Sequence, residues 1–276
     1  MTRFAVVIPA YNEAGTIRDV VSGALEHVRQ VIVVDDGSVD GTQAALAGLP
    51  LHLLANRVNS GKAASLVLGM ASALAEGADA VITLDGDGQH SPQDIPNLIE
   101  AYERNPDCVI IGARLLERAS IPRARYLANR FANFWIAWAA GQRIEDSQSG
   151  FRVYPAALLR GVHPRVDRAA SFVFESEVLI DAGRQGTAIV AVPIRALYPP
   201  QRRRSHLRPI VDIARIVRMV AWKLLSRGMD LPGLIRSLRP TGGSLRPMDT
   251  CRTPAPCTGR PQPRPGSTSP PAQSGN

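Results

Sequence analysis

The chain has 276 residues, of which 45% are hydrophobic, and a formal net charge of +8. This size and composition allow one large globular domain or two small ones with a buried core. The charge is uneven, because residues 202–239 carry ten Lys or Arg and two acids, whereas residues 1–201 are slightly acidic. We therefore expect an anionic partner near the C-terminal quarter. No recognised nucleic-acid module accompanies that charge, so a nucleic-acid partner is not expected.

Apolar, β-branched runs alternate with helix-like stretches over the first 113 residues. Strands are predicted at 4–8, 30–34, 51–55, 80–84 and 108–112, with helices at 14–29, from 42, at 61–76 and at 92–104. This alternation predicts an α/β fold with a largely parallel sheet covered by helices. Further on, helices are predicted at 126–140, 172–182 and 209–227, and a strand at 189–193. Residues 240–276 are rich in Pro and Gly without periodicity, which predicts a disordered tail.

The sequence also bears on the compartment. The first residues become polar too soon for a secretory signal, and no apolar run reaches the roughly 20 residues that a membrane span requires. Three cysteines show neither a metal-ligand spacing nor a disulfide framework. These features favour a cytoplasmic protein.

Three polar, turn-rich segments follow predicted strands, at 9–13, 35–38 and 85–90. Parallel sheets bind ligands at the carboxyl ends of their strands, so these segments are expected to converge. In the third segment Asp85 and Asp87 are separated by one glycine, and such a pair can share a hard cation such as Mg²⁺. The cation would neutralise a diphosphate leaving group. A plain Asp-Gly turn that ends a strand is the alternative, and this segment alone leaves both open.

The segments VVIPAYNE, VIVVDDGSVDGT, ITLDGDGQH, VIIGAR and EDSQSGFRVY follow in that order between residues 5 and 154. Together they resemble the family 2 glycosyltransferases of the GT-A fold. The last two resemble the subgroup of dolichyl- and polyprenyl-phosphate mannosyl- and glucosyltransferases. The resemblance, over about residues 4–210, implies an inverting transfer of mannose or glucose from GDP-mannose or UDP-glucose to a lipid phosphate, with Mg²⁺ or Mn²⁺. It further implies one GT-A domain over 1–235, with a nucleotide-sugar half at 1–115, an acceptor half at 116–208 and an amphipathic segment at 209–235.

The resemblance assigns donor-side roles to residues at matching positions. Those expected to contact the donor or its cation are Pro9, Tyr11, Glu13, Val34, Asp36, Lys62, Asp85, Asp87 and Gln89. Asp85 and Asp87 match the metal-binding DxD motif. Lys62 begins a predicted helix, where the helix dipole favours anions, which suggests that it serves a bound phosphate. A solvated surface lysine remains the alternative, as does an edge-covering role for Tyr11.

The acceptor-side residues implied by the resemblance are Arg114, Arg125 and Asp146, and Arg202 is a further residue on the donor side. Arg114 and Arg125 match phosphate-contacting positions, and Arg202 belongs to a basic loop that closes over the donor diphosphate. Asp146 is the first candidate for a general base if the acceptor is a hydroxyl. A lipid phosphate is already ionised and requires no strong base. For each arginine, an ordinary surface charge is the competing interpretation.

Residues 209–227 are amphipathic, with a basic face and Trp222 near its boundary. This pattern is typical of an interfacial helix, but a helix packed on the domain shows it too. Together with the aromatic run at 131–138, it favours a peripheral protein on the cytoplasmic face of the membrane that reaches an anionic lipid acceptor. A non-lipid or cell-envelope hydroxyl acceptor and a non-catalytic membrane-associated adaptor remain alternatives.

Overall fold

The computed structural model describes residues 1–115, 123–161, 173–195, 197, 209–226 and 228–238. Its strands are β1 (Phe4–Ala10), β2 (Gln30–Asp35), β3 (His52–Ala55), β4 (Ala80–Thr83), β5 (Val109–Ala113), β6 (Arg152–Pro155) and β7 (Ile189–Pro193). They form one sheet in the order β3-β2-β1-β4-β6-β5-β7. β6 is antiparallel to β4 and β5, and the other neighbouring pairs are parallel.

Nine α-helices lie in the described part of the chain. They are α1 (Ile17–Leu25), α2 (Thr42–Ala45), α3 (Lys62–Ala75), α4 (Ile95–Arg104), α5 (Arg123–Ala140), α6 (Ala156–Gly161), α7 (Val173–Arg184), α8 (Pro209–Leu225) and α9 (Leu231–Leu238). A short 3₁₀ turn at Pro92–Asp94 precedes α4.

The sheet separates two hydrophobic cores, because successive strand residues point to opposite faces. In β1, Val7 faces the core that contains α3, whereas Val6 and Ile8 face the core that contains α1 and α4. Gly69 lets α3 lie close to β1, since a Cβ at this position would overlap the side chain of Val7. Strand β1 is therefore fixed from both sides, and the loop at its carboxyl end has a rigid base.

The predicted α/β class with a mostly parallel sheet is confirmed, and β7 has the predicted bounds. The first helix is shorter than the predicted 14–29, because residues 14–16 form a turn in which the backbone N–H of Thr16 donates to the carbonyl oxygen of Glu13, and the helix ends at Leu25. Strand β3 lies at one edge of the sheet and is mostly exposed. Strand β6, which the sequence pattern did not predict, is fully buried between β4 and β5.

The predicted amphipathic helix at 209–227 corresponds to α8, and a second helix, α9, follows it. Helix α8 packs on α7 and α5, and α9 packs on α5. Lys223, which helical periodicity puts on the basic face, is buried and pairs with Asp181 and Glu177 of α7, so this part of the basic face packs on the domain. Within the described residues, no helix has the length and apolar character needed to span a bilayer.

Candidate active site

The carboxyl ends of β1, β2 and β4 bring the three polar segments to one edge of the sheet. Pro9, Tyr11 and Glu13 are each partly exposed there. The first loop contacts the DxD turn through Thr16, whose hydroxyl donates to the carbonyl oxygen of Gly86 at 2.7 Å. The expected convergence of the first and third segments is therefore present in the structure.

Val34 and Asp36, both expected to contact the donor, lie at the carboxyl end of β2. The side chain of Val34 is fully buried in the core with α3 and does not face the cleft, and a contact between Val34 and the donor stays a prediction. The buried Asp36 carboxylate accepts hydrogen bonds from the Asn56 side chain at 2.8 Å and from the backbone N–H groups of Ser60 and Gly61 at 2.9 and 2.7 Å. Asp36 thus fixes the loop that starts α3, and its contact with a nucleotide stays a prediction.

Lys62, the first residue of α3, lies within the acidic cluster and is not a solvated surface lysine. Its ammonium nitrogen is 2.6 Å from Asp85 Oδ1 and 3.3 Å from Glu175 Oε2. Burial alone would lower the pKa of Lys62, but the charges of Asp85 and Glu175 outweigh it and raise that pKa. Gly150 closes the cluster, because a Cβ there would lie 2.6 Å from Asp85 Oδ2.

Asp87 is held by Gln89, which donates its backbone N–H to Oδ1 at 3.0 Å and its side-chain amide to Oδ2 at 2.6 Å. Burial and the neighbouring charge of Asp85 raise the pKa of Asp87. For Asp85, burial acts in the same direction, but the charge of Lys62 prevails and lowers the pKa. Gln89 therefore orients the carboxylate of Asp87.

The residues of the turn fit a divalent cation. Two carboxylates at i and i+2 oppose each other's ionisation, as the raised pKa of Asp87 indicates, and a shared cation would relieve that repulsion. Within the described residues, no group of three or more His, Cys, Asp or Glu side chains could hold a metal. A pair of carboxylates suits Mg²⁺, which takes its remaining ligands from phosphate oxygens and water.

Arg114 and Asp146 form a closed ion pair beside this turn. The guanidinium donates to both carboxylate oxygens, with Nε–Oδ2 and Nη2–Oδ1 distances of 2.8 and 2.9 Å. The backbone N–H of Arg114 donates to Oδ2 as well, at 3.2 Å. Burial would raise the pKa of Asp146, but its hydrogen bonds to Arg114 and the charge of Arg114 outweigh burial and lower it. Asp146 is therefore a weak base in this structure.

Two buried residues near the site were given no role by the sequence pattern. Arg152 donates to the carbonyl oxygens of Ser147, Ser149 and Glu175 at 2.7–2.8 Å, which holds the loop before β6 against α7. His90 is only 4% exposed, and its Nδ1 has no hydrogen-bond partner among the residues that the structure describes. Burial, together with the charges of Arg114 and Lys62, lowers the pKa of His90 to about 4.

A cavity of about 370 Å³ adjoins the Arg114–Asp146 pair. It is lined by Arg114, Arg130, Arg143, the polar residues Asn129, Asn133, Glu145, Asp146 and Ser237, and the apolar residues Leu115, Phe134, Ala137, Ile144 and Leu238. Its wall combines cationic and apolar side chains from α5, α9 and the loop before β6. Arg125 lies in α5, but its side chain is outside the described residues, as is Arg202 entirely.

Comparisons with known proteins define the class. A UDP-N-acetylglucosamine–dolichyl-phosphate N-acetylglucosaminyltransferase from Methanococcus voltae is 29% identical over 214 residues, 70% of this chain and 85% of that one. An undecaprenyl-phosphate mannosyltransferase from Micrococcus luteus is 28% identical over 240 residues, 82% and 96% of the two chains. A solved glucosyl-3-phosphoglycerate synthase from Mycobacterium tuberculosis, in complex with Mn²⁺, UDP and phosphoglyceric acid, superposes with a TM-score of 0.57. That comparison has 22% identity and covers 82% of this chain and 78% of the other.

The fold is therefore that of the GT-A glycosyltransferases, as the resemblance implied. The family profile described as glycosyl transferase family 2 matches residues 5–162. The chain belongs to this family and is a glycosyltransferase.

Proposed function

We propose that this enzyme transfers a hexose from a nucleotide-sugar to a polyprenyl- or dolichyl-type lipid phosphate, with Mg²⁺ or Mn²⁺ at Asp85 and Asp87. In this reaction an acceptor phosphate oxygen forms a bond to the anomeric carbon of the sugar. The bond from that carbon to the diphosphate oxygen breaks, and the nucleoside diphosphate leaves. The relatives named for dolichyl and undecaprenyl phosphate support this acceptor class.

The choice between a phosphate and a hydroxyl acceptor rests on the contacts and the lowered pKa of Asp146. A hydroxyl acceptor needs a base to remove its proton, whereas a phosphate monoester is largely ionised at neutral pH. Arg114 occupies both oxygens of Asp146 and lowers its pKa, which makes this carboxylate poorly suited to accept a proton. The pair therefore favours a phosphate acceptor over a hydroxyl acceptor.

On the donor side, each group has a task that follows from its contacts. A bound divalent cation would neutralise the charge that develops on the leaving diphosphate. Gln89 fixes the orientation of the Asp87 carboxylate, which would hold the cation together with Asp85, and Lys62 adds positive charge beside Asp85. Pro9, Tyr11 and Glu13 lie at the same edge, where we place the nucleotide, with Asp36 supporting the adjoining loop.

The cavity beside Asp146 suits the head of a lipid phosphate. Arg130 lines it together with Arg114 and Arg143, which pair with Asp146 and Glu145, and its guanidinium would donate in pairs to the oxygens of an anionic phosphate. Phe134 and Leu238 on the same wall offer apolar contact to the first isoprene units. A small hydrophilic acceptor would leave this apolar wall unused.

The exposed apolar residues of the C-terminal helices fit a peripheral location at the membrane. Trp222 and Leu225 of α8 are 64% and 65% exposed, and Leu231 and Ile235 of α9 are 62% and 58% exposed. Exposed arginines on α8 would complement anionic headgroups. We place this surface against the cytoplasmic leaflet, where a lipid acceptor is presented.

A paired-acceptor assay tests the proposal. The full chain is incubated with radiolabelled GDP-mannose, UDP-glucose or UDP-N-acetylglucosamine, Mg²⁺ or Mn²⁺, and either a polyprenyl phosphate or the matching polyprenol. We expect label in the organic phase with one donor, only for the phosphate and only with the cation. Equal transfer to the polyprenol, or no lipid product with any donor, would contradict the proposal.

A further inference from the structure

Two carboxylates from different halves of the chain share the Lys62 ammonium. Asp85 follows β4 in the DxD turn, whereas Glu175 lies in the first turn of α7, more than 110 residues beyond Lys62 in sequence. The ammonium nitrogen is 2.6 Å from Asp85 Oδ1 and 3.3 Å from Glu175 Oε2. The ammonium is therefore bound closely by Asp85 and has a second acceptor within reach.

The surroundings leave the three side chains little freedom to separate. Gly150 lies against both Asp85 and Lys62, since a Cβ there would be 2.6 Å from Asp85 Oδ2 and 3.0 Å from the ammonium nitrogen. The start of α7 is fixed by the buried Arg152, which donates to the carbonyl oxygen of Glu175 at 2.8 Å. Small movements of the ammonium between the two carboxylates are possible, but its departure from the cluster is not required.

A cation on Asp85 and the ammonium of Lys62 compete for the same carboxylate. Like charges repel strongly at these distances in a partly desolvated site, so a divalent cation binds Asp85 best when the ammonium has withdrawn. Glu175 provides a negative charge that keeps the withdrawn ammonium compensated. Without it, withdrawal would leave a poorly solvated and unpaired lysine.

We propose that Glu175 is a positioning residue that receives the Lys62 ammonium when a divalent cation binds Asp85, and that it thereby sets the cation affinity of the site. This rests on the proposed cation site at Asp85 and Asp87, and it adds a role for a residue of the acceptor half. Glu175 acts through Lys62 and does not contact the cation itself.

The test measures Mn²⁺ binding to the full chain without donor or acceptor, from the loss of the free Mn²⁺ signal in electron paramagnetic resonance. In E175Q the ammonium keeps only Asp85, so we expect Mn²⁺ to bind roughly tenfold more weakly, the size of one charge-assisted hydrogen bond. K62M removes the competitor and is expected to bind Mn²⁺ at least as tightly as the wild type. If E175Q fails to fold, Glu175→Asp replaces it in the test. This variant keeps the charge but moves the carboxylate away from Lys62, and it should also weaken Mn²⁺ binding.

The double variant K62M/E175Q separates a role through Lys62 from a direct electrostatic effect. We expect it to bind Mn²⁺ as K62M does, because Glu175 has no ammonium to hold. The matched control is E177Q, two residues along α7, whose carboxylate pairs with Lys223 instead; it should bind Mn²⁺ as the wild type does. If the Glu175→Gln substitution weakens Mn²⁺ binding equally in the wild type and in K62M, Glu175 does not act through Lys62. That result, or an unchanged Mn²⁺ affinity in E175Q, would overturn the role of Glu175. Absence of Mn²⁺ binding in the wild type would instead contradict the cation site itself.

Discussion

The buried His90 makes a quantitative prediction about acid stability. An unperturbed histidine takes up its proton near pH 6.5, whereas burial lowers the pKa of His90 to about 4. Between these values the unfolded chain holds one proton more than the folded chain, so stability falls as pH drops from 6.5 toward 4. At about 1.4 kcal/mol for each pKa unit, the full loss from this one group is about 3 kcal/mol.

The perturbation is His90→Phe, which keeps a ring beside Phe151, whose centroid is 5.7 Å from that of His90. The assay is urea unfolding of both proteins between pH 7.5 and 4.5, followed by fluorescence. We expect the wild type to lose about 2–3 kcal/mol more than the variant over this range. His27→Gln is the control, because His27 is partly exposed and lies 3.0 Å from the Gln93 side chain.

The comparison of slopes decides the result. Acid weakens both proteins through their carboxylates, and only the difference between them reports on His90. If the two stability curves run parallel from pH 7.5 to 4.5, or if His27→Gln produces the same change as His90→Phe, the imidazole is not held neutral by burial and the reasoning fails.

Three further changes test other contacts. Gly150→Ala forces a methyl group against Asp85, and transferase activity should fall at least about tenfold, whereas Gly15→Ala, with open space around it, should leave activity unchanged in the same assay. Arg114→Gln leaves a buried carboxylate without its bidentate partner, and urea unfolding at pH 7.5 should show a loss of about 3 kcal/mol; a loss below about 1 kcal/mol would contradict a tight pair. Trp222→Ser should reduce sedimentation with anionic lipid vesicles several-fold, whereas Val39→Ser, an exposed apolar residue outside the C-terminal helices, should not; equal sedimentation of both would remove the membrane surface.

Much of the donor edge could be predicted from the sequence because its elements are local. The apolar strands β1, β2 and β4 are recognisable by their runs of buried residues, and the polar residues that follow each strand lie at the carboxyl edge of the sheet. The unfavourable place of Lys62 at a helix start predicts a role at the site, and its contact with Asp85 explains that placement.

Other features of the fold and the site depend on contacts between residues that are distant in sequence, and a local sequence pattern does not reveal these contacts. Strand β6 has only four residues and includes Arg152, a charged residue that a sequence pattern does not place in a buried strand. The structure accommodates it because backbone carbonyl groups surround its guanidinium. Val34 is predicted at the donor site by the family resemblance alone, and strand alternation turns its side chain into the core. Lys223 fitted a solvated face by helical periodicity, and only the packing of α8 on α7 provides the carboxylates that bury it.

The proposed function depends above all on a divalent cation held by Asp85 and Asp87 for the donor diphosphate. Calorimetric titration of UDP and GDP into the wild type and Asp87→Asn, each with and without Mn²⁺, tests this cation site directly. We expect Mn²⁺ to raise the affinity of the wild type for one nucleotide at least tenfold and to have little effect on the variant. Equal affinities with and without Mn²⁺ in the wild type, or an undiminished Mn²⁺ effect in Asp87→Asn, would contradict it.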